Sequence, residues 1–140
     1  MTIRSVVITL ALAGAFTAVA GAQVKIEKGP VTRTSPASGK EMFNEYCAVC
    51  HGTAGKGDGP AATALKKAPA DLTQLAAKNS GKFPDVRVMR YIGGEDTVAA
   101  HGTRDMPMWG EVFHSMNRDS GVTQLRISNL TDYVKGLQGH

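Results

Sequence analysis

Cys47-Ala48-Val49-Cys50-His51 is the run from which the rest of the chain is read. Two cysteines three residues apart with a histidine directly behind them form the C-x-x-C-H pattern of covalent haem attachment. Positions three apart share one face of a helical turn. The two thiols can therefore form thioethers along one edge of a planar macrocycle. The adjacent histidine then sits beneath the ring, where a neutral imidazole serves as iron ligand. One such run predicts one covalent haem c, held by Cys47 and Cys50 with His51 as the proximal ligand.

Other uses of these residues fit less well. A structural zinc site needs four donors, and the chain has only two cysteines. A thioredoxin-like C-x-x-C belongs near a βαβ pattern, whereas the residues before Cys47 read as a helix. A disulfide across two intervening residues would close too small a loop to stabilise much.

The first 22 residues read as an export signal. Arg4 supplies the positive start, residues 6–20 the apolar stretch, and Ala20-Gly21-Ala22 an A-x-A cleavage site before Gln23. The apolar run is shorter than the ~20 residues a spanning helix needs, so release into the periplasm is expected over retention as an anchor. Both cysteines are used by the haem motif, leaving none for disulfides in that oxidising compartment. A covalent haem is itself a cross-link suited to a small exported domain.

Of the charged residues only Arg4 falls within the leader, so the remaining chain is one unit less positive than the full-length net charge of +4. That balance gives no support to nucleic-acid binding, which calls for a strongly basic face. Lys56, Lys66 and Lys67 could steer docking onto an acidic redox partner. Residues 23–37 contain Pro30 and Pro36 without an apolar period and read as an extended tail or linker.

The domain is expected over residues 38–140, and mostly helical. Ser38 is a plausible N-cap with Glu41 in the capping-box position. Met42, Phe43 and Tyr46 form an apolar stripe. Four glycines between Gly52 and Gly59 imply a tight turn around the proximal side of the haem; the spacing of a phosphate-binding loop is absent. Residues 61–67 suggest a short helix, and Asp71 or Thr73 a cap after the break at Pro69. Pro84-Asp85 opens a helix with Val86, Met89, Tyr91 and Ile92 as apolar positions, ended by Gly93-Gly94. Residues 100–110 read as irregular. Ile127, Leu130, Val134 and Leu137 mark one face of a last helix over about 123–138.

The second axial position decides what such a haem does. A thioether closes the site and raises the potential, favouring electron transfer. Met106, Met108, His101 and His114 are candidates, with Met89, Met116 and His140 more distant. Met106-Pro107-Met108-Trp109-Gly110 is the strongest environment, because Pro107 restricts Met106 to extended geometry and fixes its direction.

The ordered set of Gly39-x-x-x-Phe43, the haem motif, Gly59-Pro60, Met106-Pro107-x-Trp109-Gly110 and Leu130-x-x-Tyr133 resembles the class I c-type cytochromes, in particular the small bacterial monohaem kind. The resemblance spans residues 38–138. It implies an all-α cytochrome c fold in which the first and last helices cross near-perpendicularly over the haem, with Gly39 and Phe43 meeting Leu130 and Tyr133. It also implies that Met106 rather than Met108 is the distal ligand, and that the Pro60 carbonyl accepts a hydrogen bond from His51. Trp109 would pack beside the haem, and Arg104 would pair with a propionate. Residues 111–122 are longer than in compact members and could form a partner-specific surface.

The function expected from the resemblance is one-electron transfer. The chain would be a soluble carrier or the cytochrome subunit of a respiratory or dehydrogenase complex, with redox proteins as partners and a possible membrane complex. The alternative is a haem enzyme, a peroxidase or sulfur-compound oxidase, with a labile distal site and His101 as its acid–base group. A gas sensor would ordinarily be fused to an output domain.

Overall fold

One long helix, α1 (residues 39–51), ends on the haem motif. The structure is a computed structural model that describes residues 31–95 and 106–139. The expected leader and the candidates His101, Arg104 and His140 lie outside the described residues. Ser38 is extended, and its hydroxyl accepts from the Glu41 backbone N–H at 3.2 Å, capping α1. The Glu41 carboxylate completes no reciprocal box. It accepts instead from the Ser35 backbone N–H at 3.4 Å.

The helix is not uniform. Gly39–Met42 is α-helical, Phe43–Cys47 is a π-helical turn, and Ala48–His51 returns to α. The Ala48 N–H reaches back to the Phe43 carbonyl. The wider turn re-aims the following side chains, and such turns are frequent at functional sites.

Three further α-helices lie among the described residues: α2 (Asp85–Gly93), α3 (Trp109–Asn117) and α4 (Ser120–Gly136). All three of α1, α2 and α3 pack on α4. The shared core holds Met42, Phe43 and Tyr46 from α1, Val88 and Ile92 from α2, Phe113 from α3, and Ile127, Leu130 and Val134 from α4. Burying each large side chain contributes about 1.5–3 kcal/mol. Among the described residues there is no strand, and no helix long and apolar enough to cross a membrane.

The contact of α1 with α4 depends on Gly39. A Cβ there would overlap the Asn129 carbonyl oxygen and lie 2.9 Å from the Tyr133 Cβ. The missing side chain lets the two backbones touch, and the Phe43 and Tyr133 rings pack at 5.1 Å beside that point. The pairing of first and last helix that the resemblance implies is present.

Several local expectations are corrected. Residues 61–67 form only a 3₁₀ turn at Ala62–Ala64, because the chain there is tied back to α1. On α2 the buried positions are Val88 and Ile92, while Val86 and Tyr91 face outward. Tyr91 instead sits under the Arg87 guanidinium, 5.7 Å from its ring centroid. Trp109 and Gly110, at the end of the stretch read as irregular, open a helix over residues 109–117 around the fully buried Phe113. The last helix starts three residues early because Asp119 caps it, accepting from the N–H groups of Gly121 and Val122 at 2.7 and 3.1 Å. Residues 32–36, read as tail, are tied to the domain. Asn129 donates to the Pro36 carbonyl at 2.8 Å, and Arg126 to the Thr34 carbonyl at 2.7 Å.

Candidate haem site

The glycine-rich loop after His51 has a specific task. The last carbonyls of a helix have no partner within it. Here the Ala61 N–H donates to Val49, Gly59 to Cys50 and Gly57 to His51, at 2.9, 3.0 and 2.8 Å. The loop thus runs back along the end of α1 and satisfies one carbonyl after another. Gly57 has φ +83°, and a Cβ there would lie 2.5 Å from the Pro69 carbonyl oxygen. That close approach, with the Leu72 N–H donating to Gly55 O at 2.7 Å, brings residues 69–72 against His51.

The consequence is a held imidazole. His51 Nδ1 is 3.0 Å from the Ala70 carbonyl oxygen. A carbonyl only accepts, so Nδ1 carries the proton and Nε2 keeps its lone pair. Burial lowers the His51 pKa, with the Ala70 hydrogen bond opposing. The neutral form favoured in this way is the form that ligates a metal. The acceptor expected from the resemblance was Pro60; the structure corrects it to Ala70. The physical reason lies in the loop's path. Residues 59–61 turn back toward Val49 and Cys50, and the segment after Pro69 is the one that reaches the ring. Asp71 fixes that segment by accepting from the Thr73 N–H and hydroxyl at 2.9 and 2.6 Å. Nothing in the sequence marked Ala70, since a backbone carbonyl has no side-chain signature; the Asp71-x-Thr73 cap was the nearest signal.

Cys47 and Cys50 are both free and partly buried. Burial, and secondarily the neighbouring Cys50, push the Cys47 thiol up to about 12. Among the described residues no group of three or more His, Cys, Asp or Glu side chains could hold a metal ion. The donor set fits haem instead: two unpaired thiols one turn apart, followed by an imidazole with one free nitrogen.

The candidate distal residues separate clearly. Met89 and Met116 pack against the core. Met108, half-buried, lies against Gly94, where an added Cβ would be 2.8 Å from the Met108 Cβ. Met106 alone among these four is more than a third exposed, at 37%. His114 is exposed on α3 and lines a cavity with Glu95 and Glu111. Trp109 packs on Tyr46 at 5.2 Å and on Phe113 at 5.7 Å. Its ring therefore ties the start of α3 to the residue preceding Cys47. Sequence reading missed this stack with Tyr46, although the aromatic residues themselves were visible.

Comparison with curated proteins and with solved structures yields no match. The family model for Cytochrome c matches residues 36–138. That match covers most of the chain and contains the paired thiols, the Ala70-bound imidazole and the glycine-mediated contact of first and last helices. This chain belongs to the cytochrome c family.

Proposed function

We propose that the protein is a one-electron carrier in which His51 and Met106 are the axial ligands of a single haem c. Family membership implies haem-based electron transfer. The observation that carries the finer reading is the anchoring of the Met106 segment. Trp109, three residues on, stacks against Tyr46, the neighbour of Cys47. Met106 itself is left exposed while Met89 and Met116 pack against the core.

The bound haem supplies reversible one-electron exchange between ferric and ferrous iron. The chain's residues do the rest. Cys47 and Cys50 would fix the macrocycle's edge. Ala70 holds the His51 ring in one tautomer and orientation, and its hydrogen bond raises the basicity of the ligating nitrogen. Pro107 removes a backbone donor and directs Met106. A thioether at the sixth position excludes exogenous ligands and suits transfer over catalysis.

Release to the periplasm is part of this proposal, supported by the leader-like residues 1–22. Redox proteins with acidic surfaces are the partners proposed, as shuttle substrates or as neighbours in a complex.

The test is the absorption spectrum of the ferric holoprotein. Wild type is expected to show a sulfur-to-iron charge-transfer band that disappears in Met106→Ala. A wild type without the band has an open or nitrogen-ligated distal site, and the haem-enzyme reading replaces the carrier.

A further inference from the structure

Arg126 is a buried cation, 4% exposed, whose hydrogen-bond partners among the described residues are all neutral. It donates from Nη1 to the Thr34 hydroxyl at 3.0 Å and from Nη2 to the Thr34 carbonyl at 2.7 Å, and it lies 5.6 Å from the Phe113 ring centroid. Its Nε, also buried, has no partner. Burying a charge on such terms is unfavourable for stability alone, and an apolar side chain of similar volume would commonly serve the core as well or better. The arginine's contribution must therefore be sought in what it positions.

The hydrogen bonds have a definite direction. Arginine only donates, so the Thr34 hydroxyl accepts from it. The Tyr46 hydroxyl donates to the Thr32 carbonyl at 2.6 Å. Thr34 must then donate to Tyr46, across 2.8 Å. The result is a single chain, Arg126 to Thr34 to Tyr46 to the Thr32 carbonyl, in which each hydroxyl donates once and accepts once. One turn along α4, Asn129 clasps the Pro36 carbonyl. The last hydroxyl of this chain is the phenol whose ring packs, tilted, on Trp109 and Phe113.

We infer that Arg126 and Thr34 are positioning residues for the distal ligand. By locking residues 32–36 onto Tyr46 they hold the Tyr46–Trp109 stack, and through it the segment carrying Met106. This inference rests on Met106 ligation as proposed above. Residues 32–36 thus act as a strap that sets how readily Met106 leaves the iron.

The test is a titration of the ferric holoprotein with imidazole, a probe that binds iron only after displacing the distal ligand. Arg126→Met and Thr34→Val are expected to bind imidazole about tenfold more tightly than wild type, within the usual range of coupling between sites. Thr34→Ser, which keeps the hydroxyl, is expected to match wild type. Val134→Ala, a core truncation on the same helix, serves as the control for general loss of stability. If Arg126→Met does not fold, Thr34→Val against Thr34→Ser decides alone. A Thr34→Val affinity shifted no more than that of Val134→Ala overturns the inference. A wild type lacking the charge-transfer band removes the Met106 reading itself, a separate and recognisable failure.

Discussion

Gly39 is the residue on which the contact of the terminal helices turns, because its missing Cβ is occupied by the Asn129 backbone and the Tyr133 Cβ. Alanine has better helix propensity, yet here the clash is with backbone, which cannot rotate away. Gly39→Ala is expected to destabilise the holoprotein by about 1–3 kcal/mol, the usual cost of overpacking. The check is a shift of the denaturant midpoint at unchanged slope. At this scale much of the site was readable. Cys47, Cys50 and His51 declare themselves by side-chain type and spacing, whereas the pairing of Gly39 and Phe43 with the last helix came only through the family resemblance. Ala70 was not readable, because its role is played by a carbonyl delivered through the loop's path. Arg126 was not readable either, since a lone arginine among apolar positions gives no sign that it turns inward.

Elements were legible where apolar period and capping agreed. Ser38 and the Met42–Phe43–Tyr46 stripe marked α1, and Ile127 to Val134 marked α4. The π-helical turn was hidden because it changes hydrogen bonding without changing composition. The helix α3 was hidden because Pro107 and Gly110 suggested irregular chain, whereas the helix begins two residues after Pro107 and takes in Gly110. Between elements, Lys135 on α4 donates to Asp85 at the start of α2 across 2.7 Å. This hydrogen bond holds the Asp85 carboxyl below its usual range and the Lys135 ammonium above its own. A carboxylate with a lowered pKa stabilises the fold above the carboxylate range, and a lysine with a raised one stabilises it below the ammonium range. The pair therefore contributes between about pH 4 and about pH 10. Lys135→Met is expected to melt slightly below wild type at neutral pH, and the two melting temperatures are expected to converge as the pH falls through the lowered Asp85 pKa. A difference that persists in acid would assign the loss to the contact of Lys135 with the Phe83 ring instead.

At the scale of the whole molecule, α4 is the common surface against which the haem-bearing helix, α2 and α3 are set. His51, the proposed proximal ligand, is positioned by a loop that closes the end of α1, and Met106, the proposed distal one, by an aromatic contact of Trp109 that reaches back to the same helix. Both proposed ligands are thus referred to one element, which suits a centre that changes charge with little rearrangement. The most direct measurement of the central claim is the reduction potential of the purified holoprotein beside Met106→His. The wild type is expected to give a single reversible one-electron wave, displaced to lower potential in the variant as imidazole replaces thioether. A potential unchanged by the substitution would contradict Met106 as the axial ligand and with it the closed-site carrier.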